Sequence, residues 1–299
     1  MARQTVVLGA GMVGVSVAWQ LQKRGYQVTL VDRRQPGRET SFGNAGIIQR
    51  EAVRPYPFPR DMKTILSVLP NRRVDIRYRP AGMVNAASPL LSYWHHSSSR
   101  LYKKIVPEYA SLIQLCLEAH GPMIEASGAE HLVRKEGWLE IYRTQDKLAK
   151  RVKEAEEARE LYGVEFSVLD RAALSEKEPQ LGDKIIGAIH WLDPWTVADP
   201  GGLVAAYAAS FEAMGGNLVQ ADITGVTQID ERWRVTTQES TFEADEVVMA
   251  LGPWAGQWMK PLGYHFPTFV KRGYHMHYAT QPGATLNYWL MDAEIGYLL

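Results

Sequence analysis

The chain has 299 residues, 46% of them hydrophobic and 22% charged, the composition of a globular protein long enough for two domains rather than of a disordered or fibrous one. Lys plus Arg and Asp plus Glu number 33 each, so no global field draws nucleic acid, and the single cysteine, Cys116, excludes an internal disulfide framework and a cysteine-built metal cluster. No apolar run reaches transmembrane length and the N-terminus leads straight into a predicted strand, so the expected setting is reducing and cytoplasmic.

Strand, helix and strand are predicted over about residues 4–32. Val6-Val7-Leu8 runs into Gly9-Ala10-Gly11-Met12-Val13-Gly14, an amphipathic stretch with Val13, Val17 and Leu21 follows, Gly25 ends it, and Val28-Thr29-Leu30-Val31 closes on Asp32. This is the dinucleotide pattern of a βαβ unit. One glycine permits the tight turn, one lets the backbone approach a pyrophosphate, and one lets helix pack on strand; the helix N-terminus faces the phosphates and Asp32 accepts the ribose hydroxyls. Asp32 would repel a 2′-phosphate, so Arg33 and Arg34 do not read as an NADP clamp. Taken alone, the pattern fits an NAD enzyme as well as a flavin enzyme.

Arg38 to Gly46 is a polar loop in which Gly43, Asn44 and Gly46 tolerate unusual backbone angles and bring N–H groups close to a ligand. Pro55, Pro57 and Pro59 then break regularity, and residues near 86–120 read as helical. Between Arg54 and Lys104 ten basic residues face two acids, Asp61 and Asp75, with Tyr56, Phe58, Tyr78, Tyr93 and Trp94 among them. One reading is the solvated face of a cap domain; the other is peripheral contact with an anionic membrane surface. Cys116, flanked by Leu112, Ile113, Leu115 and Leu117, is expected in the core.

Trp138 to Tyr142 reads as an alternating strand, and Leu148, Val152, Ala155 and Tyr162 form the apolar stripe of a charged helix. Pro200-Gly201-Gly202 introduces a helix over about 203–214 that Gly215-Gly216 ends. Strands are predicted at Asn217–Val219, Trp233–Thr236 and Glu246–Ala250, the last running into Leu251-Gly252-Pro253-Trp254-Ala255. The nucleotide domain is therefore read as split by an insertion. His95, His96, His120 and His131 lack zinc spacing and are read as surface or capping residues. Ser16 lies inside the first helix, with no base placed to activate it. Gly273 to Tyr278 alternates as a strand does, Tyr274, Met276 and Tyr278 on one face, His275 and His277 on the other; it borders a substrate pocket or packs in the core.

With Gly9–Gly14 and Asp32, Glu39-Thr40-Ser41 leading to Asn44-Ala45-Gly46, and Ala250-Leu251-Gly252-Pro253-Trp254-Ala255, the chain resembles FAD-dependent oxidoreductases of the D-amino-acid oxidase fold, the D-amino-acid dehydrogenases among them. The resemblance covers essentially the whole chain. It implies an α/β fold: a Rossmann-type FAD-binding domain, split over about 1–80 and 196–256, and an α+β substrate domain over about 81–195 and 257–299. It also implies FAD held by Gly9, Gly11, Gly14, Asp32, Arg33, Ala250, Gly252 and Trp254, with Ser41, Asn44, Ala45 and Gly46 along the isoalloxazine and Ile223 offering backbone contacts at the adenine end. Tyr274, His277, Tyr288 and Tyr297 are the substrate-pocket candidates, and no metal is expected.

The activity implied is oxidation of an amino acid. The Cα hydrogen leaves as hydride for flavin N5, water hydrolyses the imine to a 2-oxo acid, and electrons pass to a quinone of the respiratory chain or to oxygen. Glycine and sarcosine oxidases share the motifs. Such relatives continue past the segment resembling a strand at Glu294–Leu299, with an arginine for the substrate carboxylate and a glycine-rich helix start. The chain is accordingly expected to be C-terminally truncated, a fragment with little activity of its own.

Overall fold

Val6, Val7, Leu8, Leu30 and Val31 are all buried, as the near-continuous apolar runs of a parallel sheet covered on both faces should be. In the computed structural model, which describes every residue except 1, 73–76, 267, 269, 271, 272, 277, 278, 280 and 299, these runs are β1 (Gln4–Leu8) and β2 (Gln27–Asp32), joined by α1 (Met12–Lys23). Helix α2 (Pro200–Ala213) leads into β3 (Asn217–Gln220), and β4 (Glu246–Met249) completes a parallel sheet in the order β4-β1-β2-β3. The chain leaves β1 toward β2 on one side and reaches β4 on the other. The switch point therefore lies at the carboxyl ends of β1 and β4, where open α/β sheets bind ligands.

Asp199 starts α2 by accepting the Gly202 N–H at 2.9 Å, and Trp19 Nε1 of α1 donates to Ser210 Oγ of α2 at 3.0 Å, pinning the two helices together. Between β3 and β4 an antiparallel sheet of Ile223–Ile229, Arg232–Thr237 and Thr241–Ala244 adds Val235 and Ala244 to the core formed by Val6, Leu8 and Val31. These elements belong to one compact unit, Met1–Gly46, Ala119–Val133 and Val197–Met276; the other is Ile47–Glu118, Arg134–Thr196 and His277–Leu299. The first break falls at Gly46 rather than near residue 80. The reason is local packing: Val53 is buried with Trp138 and Ala155, Arg50 donates to the Tyr162 carbonyl, and Arg54 pairs with Glu157. Residues 257–276 likewise join the first unit, not the second.

The second unit holds a five-stranded sheet in the order Tyr297–Leu298, Leu290–Asp292, Trp138–Tyr142, Gly187–Trp191 and Phe166–Asp170. Trp138–Tyr142 is buried along its whole length, not on alternate residues, because both faces of the sheet are covered. Its alternation instead divides side chains between two cores. Trp138 and Tyr142 pack with Ile189, Trp191 and the helix Gln145–Tyr162 through Leu148 and Ala155, whereas Leu139 and Ile141 pack with Leu169, Leu174 and Ala188.

The helical region expected near 86–120 is three helices, Pro80–His96, Ser99–Ile113 and Cys116–Ser127. Cys116 is only half-buried and Leu112 and Leu115 beside it are exposed, so it is not the core residue expected. Two further expectations are corrected. Residues 273–276 are exposed and form no strand, for no neighbouring strand pairs with them among the described residues; His277 and Tyr278 lie outside those residues. Residues 294–296 are a turn rather than a strand, because Asp292 Oδ1 accepts the Glu294 and Ile295 N–H groups and Gly296 adopts φ +80°.

Candidate dinucleotide site

At the carboxyl ends of β1 and β4 the first unit opens into a cavity of about 450 Å³ lined by Gly9, Gly11–Val13, Asp32, Arg33, Glu39–Ser41, Asp222, Ile223, Met249–Gly252 and Trp254. The three glycines of the loop are required for different reasons. Gly9 has φ +103° and a Cβ there would fall 2.5 Å from the Ala250 carbonyl oxygen, while a Cβ on Gly14 would fall 1.7 Å from the Gly9 carbonyl oxygen. Both are demanded by the protein's own backbone. A Cβ on Gly11 would meet only Ser41 Oγ, at 3.4 Å, an ordinary contact. Its side chain would grow into the cavity, so the absence of one serves whatever occupies that space.

Gly11 caps α1 without a side chain, and Ser41 Oγ accepts the Met12 N–H at 2.9 Å. The N–H groups of Val13 and Gly14 follow in the same first turn, with no intrahelical carbonyl to receive them. The positive end of the helix is thus presented at the cavity, ready for a pyrophosphate. Asp32 closes β2 with both oxygens anchored: Oδ2 accepts the Ala10 N–H at 2.6 Å and Oδ1 the Arg34 N–H at 2.9 Å. These charge-assisted bonds fix the carboxylate plane, and each oxygen retains a lone pair for a ribose diol.

Beyond Asp32, the Arg33 guanidinium lies over the Trp254 ring, 4.6 Å from its centroid, and donates through Nε and Nη2 to Glu39 Oε1 at 3.1 and 2.8 Å. Arg34 pairs with the same carboxylate at 3.0 Å. Both arginines are therefore engaged, in line with a site that does not clamp a 2′-phosphate. A bound FAD fits this donor set: a glycine cradle and helix N-terminus for the pyrophosphate and a fixed carboxylate for the ribose, in a cavity that Asp222 and Ile223 also line.

The rest of the 41–46 loop builds itself. Asn44 donates through Nδ2 to the Ser41 carbonyl at 3.1 Å and accepts the Gly46 N–H at 2.9 Å; Gly46, at φ +64°, lies so close to the Val197 carbonyl that a Cβ would be 2.3 Å from it. Ser41 lines the cavity at the start of α1, whereas Asn44, Ala45 and Gly46 do not line it. Ile223, Ala250, Gly252 and Trp254 do. Sequence reasoning assigned no role to Glu39, Thr40 or Asp222. Glu39 and Thr40 stand in the motif that carried the resemblance, and Asp222 arrives through the pairing of β3 with β2, which no local signal announces.

Tyr274, in the first unit, is 87% exposed and does not line this cavity. Tyr288, in the second unit, accepts a hydrogen bond from Lys177 Nζ at 3.2 Å and meets the His190 ring edge-on. His277 and the Tyr297 side chain lie outside the described residues. His120 is half-buried rather than a surface or capping residue: its Nδ1 lies 3.0 Å from the hydroxyl of the buried Tyr207, and burial lowers its pKa. Among the described residues no cluster of His, Cys, Asp or Glu could hold a metal ion, and no helix is long and apolar enough to cross a membrane.

Residues 4–299 match the family described as DAO, FAD dependent oxidoreductase. D-amino acid dehydrogenase of Rhodopseudomonas palustris is 31% identical over 282 residues, 91% of this chain and 65% of that protein; the same enzyme of Rhizobium johnstonii is 30% identical over 283 residues, 91% and 67%. This chain thus spans about two thirds of the length of these relatives. Among solved structures, L-amino acid deaminase from Proteus vulgaris gives a TM-score of 0.62 at 18% identity, covering 88% of this chain and 50% of that one. Glycine oxidase from Geobacillus kaustophilus gives 0.58 at 18% identity, covering 88% and 59%, so the fold is shared. A glycine cradle at the switch point of a parallel sheet, matched along nearly its whole sequence, places the chain in the family of FAD-dependent oxidoreductases.

Proposed function

We propose that the protein oxidises a D-amino acid to the imine that water hydrolyses to a 2-oxo acid, with electrons passing on to a quinone or to oxygen. Bound flavin supplies the two-electron, hydride-accepting centre. The chain's own residues hold it: Gly11 admits the pyrophosphate, the start of α1 with Val13 and Gly14 neutralises its charge, and Asp32 fixes the ribose. Arg33, Ile223, Ala250, Gly252 and Trp254 line the same cavity and would contact the rest of the cofactor. The observation that carries this reading is Gly11, the one loop glycine whose missing side chain the protein itself does not need. The likeness to D-amino acid dehydrogenases supports the substrate class.

The test is a titration with FAD followed by turnover with a dye acceptor. Expected are a bound, yellow flavin and dye reduction that, however slow, favours D-amino acids over L-amino acids, glycine and sarcosine. Reduction by glycine or sarcosine alone would reassign the substrate, and failure to bind FAD would overturn the reading altogether.

A further inference from the structure

In the second unit, the helices Met62–Val68 and Pro80–His96 contain no buried residue. They are tied together at both ends. Tyr78 Oη donates to the Leu69 carbonyl at 2.6 Å, and Asn71 donates to the Tyr78 carbonyl at 2.7 Å while accepting its N–H at 3.0 Å, joining the end of the first helix to the start of the second. Arg60, just before the first helix, donates to the Trp94 carbonyl with its guanidinium 3.8 Å from the Trp94 ring centroid, joining that start to the end of the second. The pair is a helical hairpin about 25 Å long along its longer helix.

The side chains it turns to solvent are apolar and recur at helical spacing. Met62, Leu66 and Leu69 are 65%, 55% and 61% exposed; Val84 and Leu91 are 79% and 66% exposed, with Ala87 and Trp94 on the same stripe. The opposite side of the longer helix, Ala86, Pro89, Leu90 and Tyr93, is the half-buried one. A solvated helix reverses this pattern, keeping its apolar stripe inside. Around the stripes stand exposed Arg60, Lys63, Arg72, Arg77 and Arg79, and Arg100, Lys103 and Lys104 on the next helix. Asp61, the acid among the described residues of this stretch, is occupied in capping the first helix by accepting the Thr64 N–H.

We propose that this hairpin docks the protein on the surface of an anionic lipid bilayer. Its stripes would enter the boundary of headgroups and acyl chains, with Trp94 at the interface and the basic residues on the lipid headgroups. Charge decides the occupant. A protein partner that buried two apolar stripes would need a matching acidic rim, whereas an anionic membrane offers apolar depth and diffuse negative charge together. The proposal goes beyond the enzymatic reading and does not depend on the substrate.

The experiment is flotation of the FAD-supplemented chain with phosphatidylcholine vesicles, with or without about one third phosphatidylglycerol. Binding is expected to the anionic vesicles alone and to weaken as salt is raised. Lys63→Ala or Arg79→Ala should each lower partitioning about fivefold. Leu66→Glu with Leu91→Glu should abolish it while FAD uptake, the check on folding, stays unchanged. No flotation, or equal flotation of the double Glu variant, would overturn the proposal. So would a dimer in sedimentation velocity that the double variant dissolves, which would assign the face to a second copy of the chain.

Discussion

Two carboxylates, each beside an arginine, have opposite roles in the two units. In the second unit Glu140 is 4% exposed and every bond it makes is internal: Oε1 accepts from the Tyr142 hydroxyl at 2.7 Å, and Oε2 from Arg151 Nε at 3.1 Å and Trp191 Nε1 at 2.9 Å. Asp32 in the first unit is held as firmly, by two backbone N–H groups, yet stands at the wall of an open cavity. Perturbed titration is the poorer guide to function here. Burial raises the Tyr142 hydroxyl and pushes the Glu51 carboxyl up to about 7, yet both are buried away from the cavity and neither lines it. What distinguishes the candidate site is a fixed acceptor and a glycine cradle that leave their remaining capacity for a ligand.

The contrast can be broken at several points. Gly14→Val should prevent the first unit from folding, since even a Cβ would meet the Gly9 carbonyl at 1.7 Å; loss of the cooperative unfolding transition in circular dichroism checks this. Glu140→Ala leaves the Trp191 N–H and the Tyr142 hydroxyl without their acceptor and Arg151 with Glu154 alone, and should cost about 3 kcal/mol in urea denaturation without altering FAD affinity.

Glu51 gives a pH dependence. Its folded carboxyl titrates at about 7, above the ordinary value of 4.5. The folded state therefore holds its proton more tightly, and the stability present below the unfolded pKa is lost as pH rises through 7. That loss amounts to about 3 kcal/mol between pH 4.5 and 7. Glu51→Gln keeps an acceptor for Trp138 Nε1 and should flatten the decline, read as denaturation midpoints at pH 5 and pH 8. Asp32→Ala, which removes the ribose acceptor and unpins the Ala10 N–H, should weaken FAD binding by about 1.5–3 kcal/mol in a fluorescence titration.

Sequence made the site legible where the geometry is local. Gly9, Gly11, Gly14 and Asp32 fall within one βαβ unit, so turn, helix start and strand end follow from neighbouring residues. Asp222 was illegible because β3 reaches the edge of β2 after an insertion of most of the chain, and only the register of Asp32 with Gln220 brings it near. The alternation of 273–276 misled for a related reason: a period of two makes a strand only when a partner supplies the ladder. At Trp138–Tyr142 the period was real but sorted side chains between two cores, since helices and loops cover both faces. The turn at 294–296 was set by one Asp292 oxygen against the apolar run around it.

The most direct measurement compares FAD binding by the wild-type chain and Gly11→Val under conditions where both are folded. Isothermal titration should show binding to the wild type and none to the variant, with matching circular dichroism spectra and unfolding midpoints, because the added side chain fills the cofactor's space and not the protein's. Equal FAD affinity in the two proteins would contradict the assignment of this cavity.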